Sequence, residues 1–257
     1  MDLQTAVAEY KPLSGHGPFV LEGFAEDITV FQPIRDSQVW EPHVIAVLER
    51  IVKPAWVCLD VGANIGAITL PLARLASAGH VHAFEASPTA FELLKRNIAS
   101  NGLTNATPVN AAITNLTGDT VEIFSTGADF GWAHMTSSDT GRFGTREEVQ
   151  TLALDDYGFA GRCDLMKVDV EGGEIKALRG AMRMIQQHHP VLVIEYNPAP
   201  AEWFAGTSRR ALYDILAALY PYINIIEPNG ELQPVTEWDL LDRTLTEHTW
   251  KDLLCTA

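Results

Sequence analysis

The chain is short of positive charge. Its 257 residues hold 18 Lys and Arg against 33 Asp and Glu, a net charge of −15. Phosphate backbones are neutralised by clustered Lys and Arg, so nucleic acid is not an expected partner. Cysteine is scarce as well. Cys58, Cys163 and Cys255 are an odd number at wide spacing. Such a set makes neither a disulfide frame nor a zinc cluster and reads as reduced thiols in a cytoplasmic protein. No apolar run reaches the roughly 18 residues of a membrane span. Met1-Asp2-Leu3-Gln4 lacks the basic-then-apolar start of a signal peptide. Repeats and low-complexity segments are absent too. What is present is 47% apolar and 20% charged residues, the balance of an ordinary globular protein with ample core.

The middle of the chain alternates strands with helices. Ala55–Val61 is an apolar run ending at a glycine, a buried strand. Ile65–Leu75 has a helical period, with Pro71 as a candidate kink. Val81–Phe84 is a second strand. Ser87-Pro88 then supplies a cap and a first-turn proline for a helix over Thr89–Ala99, which Asn101-Gly102 stops. Strands follow at Thr107–Ala112 and Thr120–Phe124. Ser125–Glu148 is a polar, glycine-bearing stretch of the length expected for a functional loop. Asp164–Val170, Pro190–Tyr196, Tyr222–Glu227 and Leu232–Val235 are further strands, with helices at Ile175–Ile185 and Ser208–Leu219. Ahead of all this, Glu22–Ile34 suggests a strand or two and Val39–Val52 a helix. After Tyr220 the chain is expected to close the sheet and run back over the surface. The repeated alternation predicts an α/β fold with a doubly wound, mostly parallel sheet of about seven strands. Ligands of such sheets sit outside the carboxyl ends of the strands.

The first strand ends in Asp60-Val61-Gly62-Ala63-Asn64-Ile65-Gly66. Dinucleotide loops space their outer glycines five apart and need a middle glycine for the pyrophosphate. Here the spacing is four and Asn64 holds the middle place. S-adenosylmethionine has no pyrophosphate and tolerates that asparagine. Asp60 suits a ligand carrying an ammonium and a sulfonium. Glu85 ends the second strand, where a carboxylate can accept ribose hydroxyls. Ala86, Asn110 and Ala111 stand where an adenine would be flanked. The fourth strand runs into Lys167-Val168-Asp169-Val170-Glu171-Gly172-Gly173-Glu174, the densest polar cluster in the chain. Alternation places Lys167, Asp169 and Glu171 on one face if the strand extends that far. These acids could accept a proton, hold a metal or orient a hydroxyl. Glu174 reads as a helix-dipole partner instead. Glu195 ends the fifth strand and could join Asp169. His134, in the long polar stretch, is a candidate general base or a plain surface histidine.

The strings Leu59-Asp60-Val61-Gly62-Ala63-Asn64-Ile65-Gly66, Phe84-Glu85-Ala86-Ser87-Pro88, Lys167-Val168-Asp169-Val170-Glu171-Gly172 and Glu195-Tyr196-Asn197-Pro198 resemble class I S-adenosylmethionine-dependent methyltransferases of the FkbM family. The resemblance runs from Val57 to Pro198. It implies a Rossmann-like methyltransferase domain over 56–257; residues 1–55, ahead of its motifs, read as a cap or lid. It implies O-methylation of a small molecule's hydroxyl, often on a sugar or natural product. Carried over position by position, Asp60, Gly62, Ala63, Asn64 and Gly66 would hold the methionine part of the cofactor. Glu85 would bind the ribose. Ala86, Asn110 and Ala111 would border the adenine. Asp169, Glu171 and Glu195 would line the methyl-transfer site, with Lys167 beside them.

Methyl transfer needs an oxygen roughly 3 Å from the methyl carbon and in line with the breaking bond. His134 or Asp169 could take the hydroxyl proton. Mg²⁺ on Asp169 and Glu195 is the less favoured alternative, for want of a third oxygen ligand. N-methylation, an NAD-dependent oxidoreductase and a non-catalytic cofactor-binding module are the other readings. The charge is uneven: residues 57–200 carry −6, while the shorter flanks carry −9 and 13 of the 22 aromatics. That disfavours a polyanionic acceptor and favours a neutral or cationic small molecule against aromatic walls. Trp40, Trp203, Phe204 and Trp238 could supply such walls, a homodimer contact or ordinary core.

Overall fold

The computed structural model describes residues 4–126, 129–135, 145–158, 161–197, 208–245 and 250–257, without the side chains of 125, 126, 129–135 and 145. Its centre is an eight-stranded sheet. In chain order the strands are β3 (Val57–Val61), β4 (His80–Glu85), β5 (Ala106–Asn110), β10 (Leu165–Val168), β11 (Val191–Tyr196), β12 (Tyr222–Ile226), β13 (Leu232–Pro234) and β14 (Lys251–Thr256). Across the sheet the order is β13-β12-β14-β11-β10-β3-β4-β5. From β11 to β5 all neighbours are parallel, and β14 runs antiparallel to both β11 and β12. The order reverses between β3 and β10, which opens a crevice at their carboxyl ends.

The helices cover both faces. One face carries the N-terminal hairpin β1 (Thr5–Tyr10) and β2 (Phe19–Phe24), with α1 (Phe31–Ser37), α2 (Pro42–Ile51), α3 (Thr69–Leu75) and α4 (Pro88–Ser100). The other carries α5 (Glu174–Gly180), α6 (Met182–His188), α7 (Ala211–Leu219) and α8 (Trp238–Thr244). Alternation along the strands divides the core accordingly. Cys58 and Leu165 point to the first face, Leu59, Val61, Met166 and Val168 to the second. Asp60 and Lys167, registered side by side on β3 and β10, therefore point toward the N-terminal elements.

Several expectations need correction. Among the described residues the main sheet has eight strands: the strand expected near Leu232–Val235 forms its edge as β13, and the added one is β14. The C-terminus does not run back over the surface. Its Leu253, Leu254 and Cys255 are buried in β14, in the middle of the sheet. The expected long loop is largely strand. β7 (Thr120–Thr126), β8 (Asp129–Met135) and β9 (Thr145–Leu152) form an antiparallel sheet that β6 (Ala112–Ile113) joins through β9. Phe130, Trp132 and His134 alternate with small residues, a strand period that the glycines obscured. The N-terminal strands lie earlier than expected, and Phe31–Ser37 is a helix. Pro71 is the third residue of α3, in the first turn, where a helix has no partner for the missing N–H. The helix expected at Ile175–Ile185 is two short ones meeting at Ala181.

Candidate active site

A cavity of about 260 Å³ opens at the carboxyl ends of β3, β4, β10 and β11. Gly62, Ala63 and Asn64 form one wall. Backbone N–H groups of Gly62 and Ala63 both donate to Phe84 O, at 2.9 Å. Gly62 has φ +87°, and a Cβ there would lie 1.7 Å from Asp169 O. Only glycine lets these two strand ends come so close. Asn64 has φ +49° and accepts from the N–H of Ile65 through Oδ1, at 2.7 Å. Asparagine tolerates that left-handed conformation better than most residues.

Glu85 is held from both sides. Its Oε2 accepts from the N–H of Asn64 and its Oε1 from that of Ser87, each at 2.7 Å. Burial still dominates and pushes its carboxyl up to about 7 against these bonds. Ser87 caps α4, accepting from the N–H of Ala90. Ala86 and Ala111 line the same cavity with Phe84, Ile113 and Ile123. These give flat apolar walls beside Glu85.

The polar cluster surrounds Lys167. This side chain is buried, and its Nζ contacts Asp169 Oδ2 at 2.8 Å. Burial opposes its charge, but Asp169, Glu41 and Asp60 outweigh it and hold the ammonium above its usual range. The strand ends at Val168, and Asp169 continues the ladder with an N–H to Val61 O at 2.9 Å. The next residues turn sharply, with Glu171 at φ +49° and Gly172 at +93°. Glu174 Oε1 accepts from the N–H groups of Val170 and Gly172, at 3.2 and 3.1 Å, and so braces that turn. Asp169, Glu171 and Glu195 then bring one carboxylate oxygen each within 4.8 Å of one another. Burial and Asp169 push Glu171 up to about 9. The same two causes, with Glu171 and Glu174, raise Glu195 well above the usual carboxylate range. Among the described residues Glu195 Oε2 is buried without a hydrogen-bond partner. The third carboxylate that a cation would want is thus Glu171.

Most of the residues expected at the site line the cavity: Gly62, Ala63, Asn64, Glu85, Ala86, Ala111, Lys167, Asp169, Glu171 and Glu195. Three do not. Asp60 is fully buried, accepts from Thr69 Oγ1 at 2.6 Å, and leaves Oδ1 without a partner among the described residues. Gly66 faces Leu94, not the cavity. Asn110 spends its amide on Glu85 O and Ala86 O, at 2.8 and 3.0 Å, tying the ends of β4 and β5 together. His134 pairs with Phe124 across β7 and β8, while its side chain lies outside the described atoms. Trp203, Phe204 and Pro198 also fall outside the described residues. Trp238 packs on Tyr196 and Tyr213 instead. Sequence reasoning missed Glu41 and Trp250, which line the cavity beside Trp40 and Asn197. An acid before a helical proline reads as a cap, so Glu41 gave no functional signal.

The fold is the Rossmann-like one shared with solved methyltransferase structures. The profile of the Methyltransferase FkbM domain matches residues 60–224, more than half the chain. The protein belongs to the FkbM methyltransferase family. Among solved structures, it is similar to an FkbM methyltransferase from Methylobacillus flagellatus KT, at 18% identity and a TM-score of 0.48. That match covers 79% of this chain and 44% of the other, so this chain spans less than half of that protein's length. A T. thermophilus 16S rRNA N2 G1207 methyltransferase, solved with AdoMet and guanosine, matches over 100% of this chain and 51% of its own. Its identity is 14% and its TM-score 0.53. A SAM-dependent O-methyltransferase from Thermotoga maritima is 16% identical with a TM-score of 0.43, covering 84% of this chain and 64% of its own. No curated protein sequence matches the chain. Among the described residues no helix is long and apolar enough to cross a membrane.

Proposed function

We propose that the protein is an S-adenosylmethionine-dependent methyltransferase acting on a hydroxyl of a small molecule. One observation carries this reading. A single cavity is lined by the Gly62–Asn64 cradle, by Glu85 and by the Lys167–Asp169–Glu171–Glu195 cluster. The donor set fits the cofactor: the cradle shares one cavity with the Glu85 carboxylate and apolar walls, and glycine at 62 keeps it against the end of the strand that carries Asp169. When bound, S-adenosylmethionine supplies a methyl group on a positively charged sulfur. Gly62, Ala63 and Asn64 would hold its methionine part, and Glu85 would accept the ribose hydroxyls. Its two oxygens are already fixed by N–H groups, so little orientational freedom is lost on binding. Ala86 and Ala111 would flank the base. Asp169, Glu171 and Glu195 would hold the acceptor's hydroxyl in line for attack. His134 stands as a further proton acceptor, and a wild-type rate in His134→Ala would remove it.

Lys167 already supplies the cluster with a buried cation, so the chemistry proposed is metal-free. The second reading is an amine acceptor, favoured by the excess of carboxyls over that one lysine. The acidic surface supports a small-molecule acceptor over nucleic acid. The test is an acceptor panel of alcohols, catechols, methyl glycosides and amines, read by a cofactor-dependent gain of CH₂ in mass spectra. Transfer to a hydroxyl supports the reading, and transfer to amines alone replaces it with the second. A rate unchanged by EDTA supports metal-free transfer; a loss restored by Mg²⁺ overturns it. Calorimetric binding of NAD without S-adenosylmethionine would sink both readings.

A further inference from the structure

Glu41 lies ahead of the matched family domain, at the start of α2, yet it lines the cavity together with Lys167 and Glu195. Its backbone is held at φ +41° and ψ +57°. That left-handed conformation is disfavoured for any residue with a Cβ, and more so before a proline, here Pro42. Its side chain makes no capping hydrogen bond. Its Oε2 is buried without a partner among the described residues. A strained backbone that brings a carboxylate to a cavity wall with one oxygen left unpaired is poorly explained by packing. The sheet's alternation explains why it arrives there, because Asp60 and Lys167 point to the face on which α2 lies.

We propose that Glu41 is a catalytic residue, whose free carboxylate oxygen accepts the hydrogen bond and then the proton of the acceptor's nucleophilic group. This rests on the methyltransferase reading above. The acceptor's O–H bond breaks as Oε2–H forms. The electron pair stays on oxygen for its new bond to the methyl carbon; with the cofactor bound, the methyl–sulfur bond would break with its pair left on sulfur, S-adenosylhomocysteine would leave, and Glu41 ends as a neutral acid. Its neighbours suit it to the task. Asp169 is engaged by Lys167, whereas Glu41 Oε2 is unengaged. Burial pushes Glu41 up to about 8, eased by Lys167 and strengthened by Asp252, Asp169 and Asp60. A base that titrates near neutral pH is the effective kind.

The test compares two ligands on wild type and Glu41→Gln by calorimetry, so no acceptor is needed. S-adenosylhomocysteine lacks the methyl group. Sinefungin replaces the methylated sulfur with a carbon bearing an amine, which projects a cation where the acceptor would stand. Glu41→Gln is expected to weaken sinefungin about tenfold or more, the scale of one charge-assisted hydrogen bond, and S-adenosylhomocysteine less than about threefold. Equal losses for both ligands, or no loss for either, would overturn the assignment. Should Glu41→Gln not fold, Glu41→Asp serves, with the same selective loss expected and equal effects again overturning it. Wild type binding neither ligand would overturn the cofactor reading, and this assignment with it.

Discussion

Gly62 stands at φ +87°, and a Cβ placed on it would meet the carbonyl oxygen of Asp169 at 1.7 Å. Gly62→Ala is therefore expected to cost at least about 1–3 kcal/mol from the left-handed conformation alone, and more from the clash. Urea unfolding would show the loss, and cofactor titration should show no binding. The buried acids give a second prediction at this scale. Burial pushes Glu85 and Glu174 up to about 7, Glu41 to about 8 and Glu171 to about 9, all above the 4.5 of a free glutamate. Each binds its proton more tightly folded than unfolded. Their stabilising contribution is full below pH 4.5 and is lost as pH rises through 7 to 9. The Tm of the ligand-free protein should fall between pH 6 and pH 9 at constant ionic strength. Glu171→Gln should flatten that slope, and an unchanged slope would contradict the assignment of these shifts.

Glu147 on β9 ties the smaller sheet to α4. It accepts from the N–H of Thr89 at 3.0 Å and from the hydroxyls of Ser87 and Thr89. Glu147→Ala leaves these donors at the end of α4 without their partner. A loss of about 1–3 kcal/mol is expected in urea unfolding. Because Ser87 also holds Glu85, cofactor affinity should fall with it. The parallel strands and the residues just after them were legible in the sequence, since short apolar runs ended at Gly62, Glu85 and Asp169. The remainder was hidden for physical reasons. β14 is antiparallel and arrives last, so nothing local marks Leu253–Cys255 as the strand that fills the space between β11 and β12. Asn110 looked like an adenine neighbour, and only its hydrogen bonds show the amide to be taken up by backbone. Glu41 was out of reach because its role depends on Lys167, 126 positions away in sequence and adjacent only through the sheet's pleat.

The N-terminal elements share one core with the sheet. Tyr10, Phe19, Phe31 and Ile34 are fully buried in the same cluster as Cys58, Val81, Leu165 and Val193. Tyr10 donates its hydroxyl to Ala67 O at 2.7 Å, and His43 on α2 meets Asp252 on β14 at 2.7 Å. Deleting residues 1–55 would expose that face of the sheet along with the cavity wall. Such a truncation is expected to be insoluble, and a soluble product with cooperative unfolding would show the segment to be a separable cap.

A cavity whose acids hold protons at neutral pH must give some up when a cation enters. Binding of the positively charged cofactor should therefore acidify the solution. The heat of binding would then change with the ionisation enthalpy of the buffer, and the slope would count the protons released. Affinity would tighten from pH 6 to pH 8 over the range in which the empty protein loses stability, so the ligand would matter most to the fold where the fold is weakest.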